Sequence, residues 1–333
     1  MVEWLYEDGI GEARAALVAR DTIVEALVVR VDGGIRLGAV VDARLERKMA
    51  ETGRAALLLP DGARAILNTV PPRISDGATL RVAITREAIP DAGDPKPAQA
   101  RLAAEDEPLG PGPTLMETIR ATGLPVATLL PHQPDRLEAA GWGEVLEEAR
   151  TGLVTFADGL LRISPTPAMT LIDVDGAIRN ARLASEGAAA AARAIRRLGI
   201  TGSIGLDLPT LAGKGERQAA AAEVDRVLPQ PFERTAVNGF GFLQIVRRRT
   251  RPSLIETLRA DPVAAAAIAL LRRAERAGGT GPRSLVAAPA VIRLIAAHPD
   301  WTDALARRIG AAVALREDAA LAISAGDVVS RHA

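Results

Sequence analysis

The chain has 333 residues, of which 48% are hydrophobic and 25% charged, with 41 basic and 41 acidic side chains and no formal net charge. This is the profile of a globular protein with room for two or three domains, and the overall charge advertises no nucleic-acid partner. The absence of cysteine excludes disulfides and thiolate zinc sites. Met1-Val2-Glu3-Trp4 lacks the basic start and apolar run of a secretory signal. No apolar stretch approaches the roughly 18 residues of a membrane span, so the expectation is a cytoplasmic protein with no membrane partner.

Residues 1–35 read as two strands, Ala15–Ala19 and Val24–Val29. Between 36 and 88 short apolar runs (Gly38–Val41, Ala55–Leu59, Ala63–Leu67, Thr79–Ile84) are separated by Gly53, Pro60-Asp61-Gly62 and Asp76-Gly77. Several short strands so spaced predict a small barrel of the OB type. Residues 89–150 open with a stretch rich in Pro, Asp, Glu and Gly from about Pro90 to Pro113, where Asp91 to Pro97 and Pro108 to Pro113 read as a linker or an exposed loop. Helices are predicted over Leu115–Ala121 and Trp142–Arg150.

From 151 to 254 the pattern is hairpin (Gly152–Ile163, turning at Ala157-Asp158-Gly159), strand (Ala168–Val174), helix (Arg182–Leu198), strand (Ser203–Leu208), helix (Arg217–Val227), strand (Phe240–Arg247). Residues 255–333 alternate helix and strand as a small α/β domain: helices Ile255–Ala260, Val263–Ala277, Pro289–Ala297 and Thr302–Ile309, and strands Ser284–Ala287 and Ala311–Leu315. The predicted class is mixed α/β (α+β). The alanine runs at 188–192 and 264–267 are read as high-propensity helix.

Two segments carry most of the chemistry. Leu171-Ile172-Asp173-Val174-Asp175-Gly176 and Ile204-Gly205-Leu206-Asp207-Leu208-Pro209 are apolar runs that each deliver carboxylates near their ends. Carboxylates from neighbouring strand ends make a hard-oxygen site suited to Mg²⁺ or Mn²⁺, which serves phosphodiester chemistry. The bland reading, that acidic residues stop a strand or cap the next helix, accounts for about half of such placements.

A strand-helix-strand unit with carboxylates at the strand ends is the arrangement of a ribonuclease-H-like fold. Residues 151–254 resemble the catalytic core of the bacterial ribonuclease E/G family. Thr166-Pro167-Ala168-Met169-Thr170-Leu171-Ile172-Asp173-Val174-Asp175 resembles the approach to that family's first catalytic Asp, where the motif is Asp-Ile-Asn-Ser. Ile204-Gly205-Leu206-Asp207 is similar to its second metal-bearing strand, and Asn238 to Leu254 to its Arg-Phe-Gly-Leu stretch ending in Pro-Ser-Leu.

The resemblance implies a ribonuclease-H-like nuclease core, begun by residues 1–35 and interrupted by the OB-like barrel at 36–88, with a reduced sensor region at 89–150 and a small C-terminal domain. It implies a metal-dependent endoribonuclease that cuts single-stranded RNA and leaves a 5′ phosphate and a 3′ hydroxyl. Asp173 and Asp207 would hold Mg²⁺ or Mn²⁺. Asp175 stands where the family has Asn, adding either charge near the phosphate or a third ligand. Arg247 and Arg249 match basic positions of the family and, with Arg251, would share one strand face as a phosphate strip. A solvated edge-strand face is the alternative for these arginines.

Phe240 and Phe242 are core candidates, with base stacking open to one of them in a chain only 2% aromatic. Lys214 and Arg217 would either touch RNA or open the helix that follows. The family's zinc-link cysteines and a clear 5′-sensing segment are missing, so no zinc is expected, and a homodimer would have to form without it. His132, His298 and His332 are scattered and read as structural or surface residues. The rival function is an RNA-binding or assembly factor of the same fold with little or no catalysis.

Overall fold

The computed structural model describes residues 2–31, 34–49, 51–70, 74–90, 95–279 and 281–330. Asp91 to Asp94 of the predicted linker and His332 lie outside the described residues. The N-terminal strands are β1 (Val2–Asp8), β2 (Glu12–Ala19) and β3 (Thr22–Arg30), followed by β4 (Val40–Met49), β5 (Arg54–Leu58), β6 (Arg64–Leu67), β7 (Thr79–Arg86) and β8 (Ala98–Leu102). The middle of the chain forms α1 (Leu115–Arg120), β9 (Val126–Thr128), α2 (Arg136–Ala139), α3 (Trp142–Thr151), β10 (Leu153–Phe156), β11 (Gly159–Pro165), β12 (Thr170–Gly176) and α4 (Asn180–Arg197). Next come β13 (Gly202–Asp207), α5 (Lys214–Val227), β14 (Glu233–Arg234), β15 (Phe242–Arg247), α6 (Leu254–Ala260) and α7 (Pro262–Arg276). The chain closes with β16 (Arg283–Ala287), α8 (Pro289–Ala296), α9 (Pro299–Ile309), β17 (Val313–Glu317) and β18 (Gly326–Ser330).

This is a mixed α/β chain with a closed five-stranded barrel, β4-β5-β6-β8-β7, and three open sheets. The barrel takes its fifth strand from Ala98–Leu102, inside the stretch read as linker. Ala98 and Ala100 are buried in the barrel, so small size rather than polarity explains why the segment carried no strand signal.

The strands β1, β2 and β3 of the N-terminal segment share no sheet with the strands of 151–254. With β9 they form a four-stranded sheet, β3-β2-β1-β9, whereas the later strands form a six-stranded sheet, β10-β11-β12-β13-β15-β14. A helical layer joins the two. α3, α4 and α6 all touch β3, and α4 lies against β10, β11 and β12.

The alanine run is what lets α4 occupy this position. Ala188 to Ala192 are all buried, and all but Ala189 share a common core with Leu5, Ile23 and Ala26 of the first sheet and Ile172 and Val174 of the second. Small side chains allow close approach on both faces, so the run does more than favour helix. Gly187 is the tightest point: a Cβ there would overlap Cγ1 of Val174 and stand 3.3 Å from its Cγ2. The other face of the first sheet packs Trp4, Ala15 and Leu17 on Leu115 and Ile119 of α1.

The C-terminal unit packs α7, α8 and α9 on the three-stranded sheet β17-β16-β18, around Leu271, Leu285, Ile295 and Trp301. A buried ionic network ties it to the first sheet. Arg14 donates to Glu7 at 3.0 Å and to Asp135 at 3.1 Å. Arg276 pairs with Glu7 and Arg272 with Glu12. The Arg14 guanidinium lies 5.1 Å above the centre of the Trp142 ring, a cation–π contact. Among the described residues no helix is long and apolar enough to cross a membrane.

Candidate functional site

The six-stranded sheet buries one face against the helices and leaves the other open. Alternation along each strand decides which side chains go where. Ile172, Val174, Ile204, Leu206, Leu243 and Ile245 point into the core. Leu171, Asp173 and Asp175 of β12, Asp207 of β13 and Arg162 of β11 are exposed on the open face.

Register places these groups in one row. Arg162 pairs with Asp173 across the antiparallel β11/β12 ladder. Asp173 pairs with Asp207 across β12/β13, a parallel pair in a sheet otherwise antiparallel. Asp207 pairs with Phe242 across β13/β15. The row therefore reads Arg162, Asp173, Asp207, Phe242, with neighbours about 4.8 Å apart, the spacing of adjacent strands. Asp175 lies two residues further along β12, opposite Leu160, and accepts a 2.8 Å hydrogen bond from Arg162 Nε.

The electrostatics fit a cation-binding face. The Asp173 carboxyl is pushed above its ordinary value, first by burial and then by the Asp175 and Asp207 carboxylates, against the Val174 N–H and Arg162. A bound cation would relieve that repulsion. Among the described residues no group of three or more His, Cys, Asp and Glu is arranged to hold a metal ion. Two carboxylates are nevertheless a sufficient protein share for Mg²⁺, which keeps several waters and takes up substrate phosphate. The donor set of Asp173 and Asp207 fits that requirement, while Asp175 is engaged by Arg162.

An apolar platform adjoins the acids. Gly205 sits beneath it: a Cβ there would approach the Phe242 ring to 2.6 Å and Leu171 Cδ2 to 2.9 Å. Phe240 crowns the turn that leads into β15, 84% exposed. Asn238 shapes this turn, its Oδ1 accepting from the N–H groups of Phe240 and Phe242 at 2.9 and 3.0 Å. So Phe242 covers the open sheet face and Phe240 stands free, neither in the core. Lys214 is exposed at the first position of α5, while Arg217 donates to the Leu211 and Ala212 carbonyls and is turned to holding that loop.

The arginine strip does not form. β15 ends at Arg247, so Arg249 and Arg251 leave the strand and share no face with it. Arg247 itself points to the helix side, the side of Leu243 and Ile245, and donates to the Ile200 carbonyl at 3.0 Å. Arg249 pairs with Glu256 beside the start of β13. Arg162 takes the place next to the acids that the strip was expected to fill. Its signal lay in the hairpin: in Leu160-Leu161-Arg162-Ile163 it is the one charge alternating with core positions, on the strand that pairs with the first acidic one.

The sequence matches no protein-family model and no curated protein.

Proposed function

We propose that this chain is a metal-dependent endoribonuclease of ribonuclease E/G type that cuts single-stranded RNA on the open face of its six-stranded sheet. The single observation that carries the reading is the direct cross-strand pairing of Asp173 with Asp207. Both are exposed, and an aromatic side chain is the next neighbour in the row.

Asp173 and Asp207 would hold Mg²⁺ or Mn²⁺, which when bound supplies an activated water and charge neutralisation at a phosphodiester. Arg162 keeps Asp175 turned toward itself and offers a cation beside the scissile phosphate. Phe240 and Phe242 offer a base a stacking surface next to the acids. The five-stranded barrel has the strand order first, second, third, fifth, fourth, closed by its first and fourth strands, which supports an OB-type RNA-holding role.

The test is a gel with labelled single-stranded RNA in Mg²⁺, Mn²⁺ or EDTA. Cleavage by the wild type with metal, lost in Asp173→Asn and Asp207→Asn while RNA binding persists, is the expected result. Full activity of either variant would remove the acidic pair from the mechanism. Binding with no cleavage in any metal would favour the second reading, an RNA-binding or assembly factor. That reading draws on the Arg162–Asp175 bond, which occupies the carboxylate nearest to serving as a third ligand.

A further inference from the structure

We propose that a cleft at the junction of the barrel and the six-stranded sheet, away from the acidic row, is a binding site for a phosphate group. The cleft has a volume of about 220 Å³ and is lined by Lys96 from the barrel side, Pro165 at the end of β11, Pro167 between β11 and β12, and Arg249, Glu256 and Arg259. It lies at the opposite end of the strands from the acids. Thr170, which opens β12, is three residues from Asp173, about 10 Å along a strand, and Gly202, beside Arg249, is five from Asp207, about 16 Å.

Among the described residues three cations and one carboxylate line this space, and the carboxylate is spent. Glu256 Oε1 pairs with Arg249, and Oε2 accepts from the N–H and Oγ of Ser253 at 2.8 and 2.9 Å. The cations are held in place before any ligand arrives. Arg259 Nε donates to the Arg150 carbonyl at 3.0 Å, and its guanidinium packs on Gly152, where a Cβ would strike it. Lys96 Nζ donates to the Pro167 carbonyl at 2.7 Å and so latches the barrel to the sheet.

A tetrahedral oxyanion accepts from several ammonium and guanidinium N–H groups at once, which suits a cleft lined by Lys96, Arg249 and Arg259. Burial pushes Arg259 below its usual range, and an anion here would favour its charged form. A phosphate on this spot can belong to a nucleic-acid strand crossing from barrel to sheet or to a free phosphate compound. The shared chemistry is a phosphoryl oxyanion gripped by fixed guanidinium groups.

The experiment is isothermal titration in EDTA buffer with inorganic phosphate and, separately, with a ten-nucleotide oligouridylate. Proteins are the wild type, Arg259→Gln and Pro167→Glu; the last puts a carboxylate at the exposed mouth without touching a buried arginine, and near-UV circular dichroism checks folding. Saturable phosphate binding to the wild type, weakened about tenfold or more in both variants, is the expected result. A parallel loss for the oligonucleotide assigns the site to a strand phosphate; a loss confined to inorganic phosphate assigns it to a free compound. No saturable phosphate binding, or unchanged affinity in a folded Pro167→Glu protein, overturns the proposal. Because no metal is present and Asp173 and Asp207 are untouched, either outcome is independent of the nuclease reading.

Discussion

The contact between Gly187 and Val174 makes a prediction in which two ordinary rules oppose each other. Replacing a helical glycine by alanine normally stabilises, by about 0.8–1 kcal/mol of helix propensity. At Gly187 the new methyl would overlap Val174 Cγ1 and crowd Cγ2 at 3.3 Å and Cβ at 3.4 Å. Carbon atoms prefer about 3.5–4.0 Å, so β12 or α4 must shift. Val174 is β-branched and stiff, and β12 is held on both edges by β11 and β13, which puts the overpacking cost near the top of its usual range, about 2–3 kcal/mol.

The net expectation for Gly187→Ala is a loss of about 1–2 kcal/mol. Gly215, in the first turn of α5 with nothing within 4 Å, is the control, and Gly215→Ala should stabilise by up to about 1 kcal/mol. The assay is urea denaturation followed by tryptophan fluorescence, since Trp142 belongs to the same core as Val174. Adding Val174→Ala to Gly187→Ala should give a coupling of about 1 kcal/mol or more in a double-mutant cycle. Equal stabilisation at both glycines, or zero coupling, would refute the close packing. Val174 lies between Asp173 and Asp175, so the same substitution should also weaken whatever the acidic row binds.

Three further outcomes are expected. Phe240→Ala should leave stability within about 0.5 kcal/mol, since the ring is 84% exposed, yet weaken oligonucleotide binding by about 1–3 kcal/mol if a base stacks on it, measured by fluorescence anisotropy. Asp173 has a raised folded pKa, so the folded state holds the proton more tightly and stability falls as pH rises through the carboxylate range. Asp173→Asn should therefore be more stable than the wild type at pH 7, within the ~1 kcal/mol of exposed charge pairs, with the gain vanishing below about pH 3 in thermal melts. Glu7→Gln leaves Arg14 and Arg276 without their shared buried carboxylate and should cost about 3–5 kcal/mol by urea denaturation; a loss under 1 kcal/mol would show that the network is dispensable.

Strong periodicity made much of the secondary structure legible. The helix read over Arg182–Leu198 is Asn180–Arg197, and the strand read over Ser203–Leu208 is Gly202–Asp207. The acidic residues were legible because a carboxylate at the end of an apolar run stands out. Their partner Arg162 was not, because cross-strand register is a property of pairing, invisible along one strand. β1 escaped notice because its charged Glu3, Glu7 and Asp8 break the apolar run; Glu7 is buried only because Arg14 and Arg276 come to it. The arginines after Gln244 failed as a strip for a local reason: Arg248 to Arg251 are no longer strand, so a two-residue period says nothing about where they point.

The helix shared by two sheets also has a consequence in time. A ribosome delivers residues 2–30 early, but the inner face of their sheet, with Leu5, Ala16, Ile23 and Ala26, packs most extensively on α4, which ends at Arg197. For more than half of synthesis the first sheet has its outer cover from α1 and at most a partial inner one from α3. Domains that form during translation hide their apolar surface as they emerge, and this one hides its own only in part until α4 is made. Nascent chains halted before α4 should present that face to chaperones, and chains halted after it should not, so release from chaperone marks the moment at which both sheets acquire a common interior.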